Sequence, residues 1–258
     1  MTKPRLCFVI LFFATLLMLG ANAQQSPYVE YLPIFIGGNP VENPGFNFPE
    51  WHDALWWDQA GGPYAVPFQE VRPPTGWTAF WREGDDCDGQ LSGRPEVNVF
   101  EAYIDPLRVR SGGTSARLFT FFRCHRMGLM QTVTGLDSGY YEFSAWVQAW
   151  YSQCSTQPYA PPLEADCVTP IGWAHMRVKV GIDPYGGEDP WFPTVRWSDW
   201  AEPYGEYMEL RTAPALVHLD GRATVFIYSE STHALKHEDL YVDDAGLARV
   251  KSPTLWEK

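Results

Sequence analysis

The sequence predicts an all-β protein, an antiparallel sandwich with long loops, on three observations. From Val97 onward, short segments that alternate apolar and polar residues follow one another at close intervals, separated by Gly, Asp, Ser or Pro. No segment sustains an apolar i, i+3, i+4, i+7 pattern through a helix of ordinary length, and the punctuating glycines and prolines would break one. The 258 residues contain no internal repeat and no low-complexity tail, which suits one large sandwich once the amino-terminal segment is set aside.

That segment, residues 1–23, predicts a secretory signal peptide. Lys3 and Arg5 make a basic start, Leu6 to Leu19 is an apolar run, and Ala21-Asn22-Ala23 supplies small residues at the cleavage positions. The run is too short to span a bilayer and nothing downstream approaches that length, so a secreted chain without membrane insertion is expected. Cys7 would leave with the signal. The signal holds two of the 19 basic residues and none of the 31 acidic ones, so 17 bases face 31 acids in the remainder, a net charge of −14. Nucleic acid and anionic membranes are poor partners on that balance. The 12 tryptophans exceed what core packing alone asks for, since each indole N–H needs a partner when buried.

Residues 24–42 form an amino-terminal extension whose one apolar run, YLPIFI, is interrupted by Pro33. It reads as an edge strand, a linker, or a strand donated to a neighbour, the last implying self-assembly. From Asn43 to Asp86 the chain is dense in Pro, Gly and Trp, so loops and short strands are expected. The regular part then runs NVFEAYI, RVRSGGTSARLFTFFRCHR, MGLMQTVTGLDSG, YYEFSAWVQAW, AHMRVKVGIDPYGG, TVRWSDW, EYMELRTAPA, ATVFIYSES and LYVDDAGLARV. This places the sandwich domain at 43–250 and a short tail at 251–258.

Four cysteines remain after the signal, an even number in a chain bound for an oxidising space, which favours disulfides over metal ligation. Three pairings exist. The favoured set joins Cys154 to Cys167, closing the loop STQPYAPPLEAD, and Cys87 to Cys124, tying REGDDCDG to the strand of Phe121 and Phe122. The insert from Ser152 to Gly172 is then one stapled loop between two strands.

Within YYEFSAWVQAW, a side-chain period of two puts Tyr141, Phe143, Ala145 and Val147 on one face, a core face. The other face carries Tyr140, Glu142, Ser144, Trp146, Gln148 and Trp150, unusually rich in rings for a solvent face. Rings beside a few polar groups suit a flat, hydroxylated ligand; the alternative is a second face covered by other segments. Trp146 and Trp150 would stand about 13 Å apart along an extended strand, a span suited to an oligosaccharide. His175, Arg177 and Lys179 alternate along the next long strand and would supply donors beside the rings if the two strands are neighbours. In GIDPYGGEDPWFPTVRWSDW, tight turns would hold Tyr185, Trp191 and Trp197 close to a loop edge, against either the insert or a ligand.

Four motifs in order, NPGFN, RVRSGGTSARLF, GLMQTVTGLDSGYYEFSAWV and YVDDAGL, resemble the jelly-roll carbohydrate-binding modules of the galactose-binding-like class, of the type that accompanies secreted glycanases. The resemblance covers Asn43 to Val250. It implies a jelly roll that binds an oligo- or polysaccharide on its concave sheet, here with Trp146, Gln148, Trp150, Glu142, His175, Arg177, Trp191 and Trp197 as candidate ligand-binding residues. It also implies a structural calcium held by Asn47, carbonyls around Ser111 to Ser115, and Asp243 or Asp244. The family's opening acidic residue is Asn47 here, which lowers the charge such a site depends on.

No catalytic residues are predicted. Glu101, Glu142, Asp183 and Glu206 lie near strand ends, but nothing pairs them as a glycosidase requires. The six histidines show no metalloenzyme spacing, and there is no nucleophile elbow. The expectation is therefore a secreted, non-catalytic glycan-binding protein. A structural or adhesive surface subunit assembling through its amino-terminal strand and Trp-rich loops is the first alternative. A glycoside hydrolase with an unrecognised carboxylate pair is the second.

Overall fold

The computed structural model describes residues 38–47, 70–87, 89–152 and 176–252. In chain order its strands are β1 (Thr78–Trp81), β2 (Asp86–Cys87), β3 (Gln90–Leu91), β4 (Glu96–Glu101), β5 (Thr114–Thr120), β6 (Arg126–Thr134) and β7 (Gly139–Ser152). There follow β8 (Met176–Asp183), β9 (Arg196–Trp197), β10 (Met208–Arg211), β11 (Ala215–Val217), β12 (Arg222–Ser231) and β13 (His237–Val250). The only helical element among the described residues is a one-turn 3-10 helix, Pro106–Arg108, capped by the Asp105 carboxylate on the Leu107 N–H.

Eleven of the strands build two antiparallel sheets, the sandwich expected from the alternation, and β2 and β3 pair as a separate two-stranded ribbon. One has the order β1-β6-β12-β8-β9; the other runs β10-β7-β13-β5-β4, with β11 on the same edge of β7 as β10. Tyr141, Phe143, Ala145 and Val147 are buried as the period of two requires, facing Leu129, Val178, Val180, Val225 and Ile227 in one core. The segment from β9 to β10 leaves one sheet for the other. Ala201 pairs with Val178 of β8, Tyr204 with Ala149 of β7, and β10 then follows β7.

Residues 38–47 dock on this frame through polar side chains that have turned inward. Gln131, buried on β6, accepts from Glu42 N (2.7 Å) and donates to Glu42 O (3.0 Å). Asn39 donates to Ala245 O (2.8 Å) and accepts from Leu247 N (3.2 Å), at a bulge where the β13–β7 register shifts between Asp243 and Gly246. NPGFN is a turn rather than a strand, with positive φ at Asn43 and Phe46. Asp243 and Asp244 lie inside β13 at this bulge, and Asp244 takes φ +44°.

Of the predicted disulfides, Cys87–Cys124 is present. Residues 153–172 of the insert with Cys154 and Cys167, His175, the signal segment 1–23 and YLPIFI lie outside the described residues.

Candidate functional site

The sequence-predicted ligand residues divide between two faces of the sandwich. Trp146, Gln148, Trp150 and Glu142 belong to β7 and the outer face of one sheet. Arg177 of β8, Trp197 of β9 and Trp191 belong to the other sheet or to the loop that crosses it. The condition under which Arg177 and Lys179 would stand beside Trp146 is not met: β8 pairs with β12 and β9 rather than with β7. Alternation places residues on a face, but sheet membership is set by long-range pairing.

The β7 face is furnished by the chain itself. Gln148 is 2% exposed; it accepts from Arg108 Nη1 (2.8 Å) and donates to Gly205 O (2.8 Å). Arg108 sits over the rings of Trp150 (4.6 Å) and Tyr241 (5.2 Å), while Tyr204 stacks on Trp150 at 5.2 Å. Arg110 lies over Trp146 at 3.7 Å, and Glu142 pairs with Arg211. Arg108, Arg110 and the 203–207 segment thus bury Gln148 and leave Trp146 and Trp150, the rings of the expected open platform, half-buried. A sugar reaching Trp146 would have to displace Arg110 from it.

The opposite sheet carries a second, layered aromatic array. Alternation along β12 turns Phe226 and Tyr228 outward, away from the main core, where Phe80 of β1 and Met130 of β6 join them in a second buried cluster with Val195. Two mid-strand glycines let rings lie flat on the sheet. A Cβ on Gly181 would come within 2.6 Å of the Trp197 ring, and one on Gly128 within 2.4 Å of Phe80. Trp197, Trp200 and Trp191 form the upper layer: Trp197 is 5.8 Å and Trp200 5.6 Å from Tyr228, while Trp191 meets Tyr228 edge-on at 5.2 Å. Trp197 and Trp200 are half-buried, and Trp191 is exposed.

Polar groups border these rings. Lys179 Nζ stands 4.5 Å from the Trp197 centroid, 4.3 Å from Trp200 and 5.4 Å from Tyr228. Burial there lowers the Lys179 pKa; Glu230 opposes the shift and Arg177 adds to it. Glu230 receives Arg177 and, on its other oxygen, the Tyr228 hydroxyl (2.9 Å). Sequence reading did not select Trp200, Tyr228, Phe80 or Phe226. The available signal was a second alternation of rings in ATVFIYSES together with lone glycines at strand centres.

The predicted calcium residues do converge. Asp243 accepts from Arg110 N (2.9 Å), Ser111 N (3.1 Å) and Asp244 N (2.9 Å); Asp244 accepts from Ser111 Oγ (2.8 Å) and pairs with the Arg110 guanidinium. Asn47 lies alongside, its side-chain oxygen 2.9 Å from where a Cβ on Gly112 would sit. These residues do not fit a dedicated calcium cage. The Asp243 carboxylate is turned to backbone N–H donors, and the Asp244 carboxylate is already neutralised by a guanidinium.

A buried group of Ser229, His125 and Glu238 mimics a nucleophile relay, with His125 Nε2 3.0 Å from Ser229 Oγ and Nδ1 3.2 Å from Glu238 Oε2. All three residues are 0% exposed, so they join β12, β13 and the β5–β6 turn and meet no substrate.

No protein-family model matches the chain, and no curated protein matches it. Among solved structures, the chain is similar to a family 61 carbohydrate-binding module in complex with β-1,4-galactotriose, at 15% identity over 83% of this chain and 99% of that one, TM-score 0.47. It is also similar to a cyclase from Fischerella sp. TAU, at 13% identity over 84% and 98%, TM-score 0.47. A third is the CBM22-1 xylan-binding domain from Paenibacillus barcinonensis Xyn10C, at 15% identity over 69% and 88%, TM-score 0.38. At these identities no residue role carries over.

Proposed function

We propose that this is a secreted, non-catalytic glycan-binding protein whose site is the aromatic face of the β1-β6-β12-β8-β9 sheet. The observation that carries the reading is the layered ring array: Trp191, Trp197 and Trp200 remain partly open on top of the buried Phe80, Phe226 and Tyr228. Rings held by packing beneath them form a rigid surface for sugar C–H faces, and Lys179 and Arg177 offer donors to hydroxyls at its edge. A disulfide between Cys87 and Cys124 accords with an oxidising compartment. Glu142 and Asp183 lie on different sheets, the first paired with Arg211 and the second accepting from Thr194 Oγ1 (2.6 Å), an arrangement unsuited to a shared substrate.

The test is affinity electrophoresis and calorimetry over a polysaccharide panel that includes β-1,4-galactan and xylan, with a parallel assay for released products. Trp197→Ala and Trp200→Ala should each weaken binding by about tenfold or more, a loss of about 1.4 kcal/mol. Unchanged binding in both variants, or release of reducing ends, would sink this reading.

A further inference from the structure

The same face carries a row of cations set above their counter-ions. The register places Arg126 of β6, Glu230 of β12 and Arg177 of β8 side by side across three strands. Arg82, immediately after β1, donates its N–H to Arg126 O (2.9 Å) and extends the row by one strand. Arg82 and Arg126 share a single carboxylate oxygen, Oδ2 of Asp85, at 3.2 and 2.7 Å, and Arg177 takes Glu230.

The layering decides what a ligand meets. The arginine side chains are 54%, 35% and 40% exposed for Arg82, Arg126 and Arg177, whereas Asp85 and Glu230 are 20% and 14% exposed. Each carboxylate is therefore consumed beneath, and the guanidiniums turn donors outward. Glu83, the acid next to Arg82, accepts from the indole N–H of Trp81 (2.8 Å). The row is continuous with the rings: Arg82 stands 5.9 Å from the Trp191 ring, Arg177 4.3 Å from Trp200, and Lys179 among Trp197, Trp200 and Tyr228.

On a chain of net charge −12, donor-rich cations concentrated beside an aromatic platform mark a specific anion preference rather than a generally basic surface. Resting on the glycan-binding reading above, we propose that the ligand is an anionic polysaccharide. Its sugar rings lie on Trp191, Trp197 and Trp200, and its carboxylate or sulfate groups take donors from Arg177, Lys179 and Arg82. A planar carboxylate suits the fork of a guanidinium, and Lys179, partly desolvated among the rings, gains most from an incoming negative charge.

The test uses the full chain against five probes: polygalacturonate, the same polymer fully methyl-esterified, a sulfated galactan, neutral β-1,4-galactan, and inorganic polyphosphate. One acidic polysaccharide should bind at least about tenfold more tightly than the methyl ester and the neutral galactan, and which one does identifies carboxylate or sulfate as the group recognised. That binding should weaken steeply with added salt, and Arg177→Gln or Arg82→Gln should reduce it by about three- to tenfold. Equal or tighter binding of the neutral polymers overturns the charge preference and leaves the glycan site standing. Equal binding of polyphosphate overturns the site as a sugar site. Binding of no probe and no neutral glycan overturns the glycan reading and this inference together.

Discussion

Arg110 reaches across 134 residues of sequence to pair with Asp244, and the same guanidinium lies 3.7 Å from the centroid of the Trp146 ring. One side chain thus joins the turn before β5 to the bulge of β13 and covers the ring that the alternation of β7 marks out as a ligand platform. Removing it should cost packing and pairing together. Arg110→Ala is expected to destabilise the fold by about 1–2 kcal/mol, from a partly exposed ion pair and one cation–π contact. A double-mutant cycle with Asp244→Asn should show coupling of about 0.5–1 kcal/mol. Strictly additive losses would mean that the two groups do not act on each other.

The same pair bears on metal binding. With Arg110 in place, the thermal midpoint should be the same in excess chelator and in millimolar calcium. In Arg110→Ala the Asp244 carboxylate is freed beside Asn47 and Ser111, and calcium should then raise the midpoint by mass action on the folded state. A calcium-dependent rise in the unmodified protein would show that a cation competes successfully with the guanidinium.

Much of the fold can be read in the sequence because alternation is a local property. The core face Tyr141, Phe143, Ala145 and Val147 follows from the period of two, and each of the nine segments from NVFEAYI to LYVDDAGLARV contains a strand. The site is less legible for two physical reasons. Which sheet a strand joins depends on pairings such as Glu230 with both Arg126 and Arg177, which join positions far apart in the chain. The side chains that cover Trp146 and Trp150 come from Arg108 and Arg110, on a turn whose short sequence has no periodicity to announce it.

Gly181 provides a test of the aromatic platform without touching a ring. A methyl group there would meet the Trp197 ring at 2.6 Å, so Gly181→Ala should lift or tilt Trp197 off the sheet. Glycan affinity is expected to fall by about threefold or more while Gly139→Ala, on the opposite sheet, leaves it unchanged. Retained affinity in Gly181→Ala would remove Trp197 from the site.

The Cys87–Cys124 bond spans 37 residues and ties the β2–β3 ribbon to the turn leading into β6. By chain entropy, a loop of that length is worth about 4 kcal/mol. Reduction, or Cys87→Ser with Cys124→Ser, should lower the denaturation midpoint accordingly. Arg82 and Asp85 lie just before Cys87, whose position the bond fixes, so anionic-ligand affinity should fall in the same variant even where the core stays folded. A midpoint unmoved by reductant would show that packing alone fixes the loop.

Asp243 should make stability depend on pH in an unusual direction for a carboxylate. Burial pushes its pKa up from 3.8 to about 7, against three backbone N–H bonds and with the Asp244 charge adding to the rise. The folded chain then keeps a proton that the unfolded chain releases near pH 4. Between about pH 4 and 7 the native state binds more protons, so the contribution of this group to stability is present at the acidic end and is lost as pH rises through the window. Asp243→Asn has no proton to lose and should lack that component. Thermal midpoints of the two proteins measured at half-unit steps from about pH 4.5 to 8 should diverge, the unmodified protein losing stability relative to the variant and levelling off above about pH 7. Parallel curves would mean that the three N–H donors outweigh burial and keep the carboxylate ionised throughout.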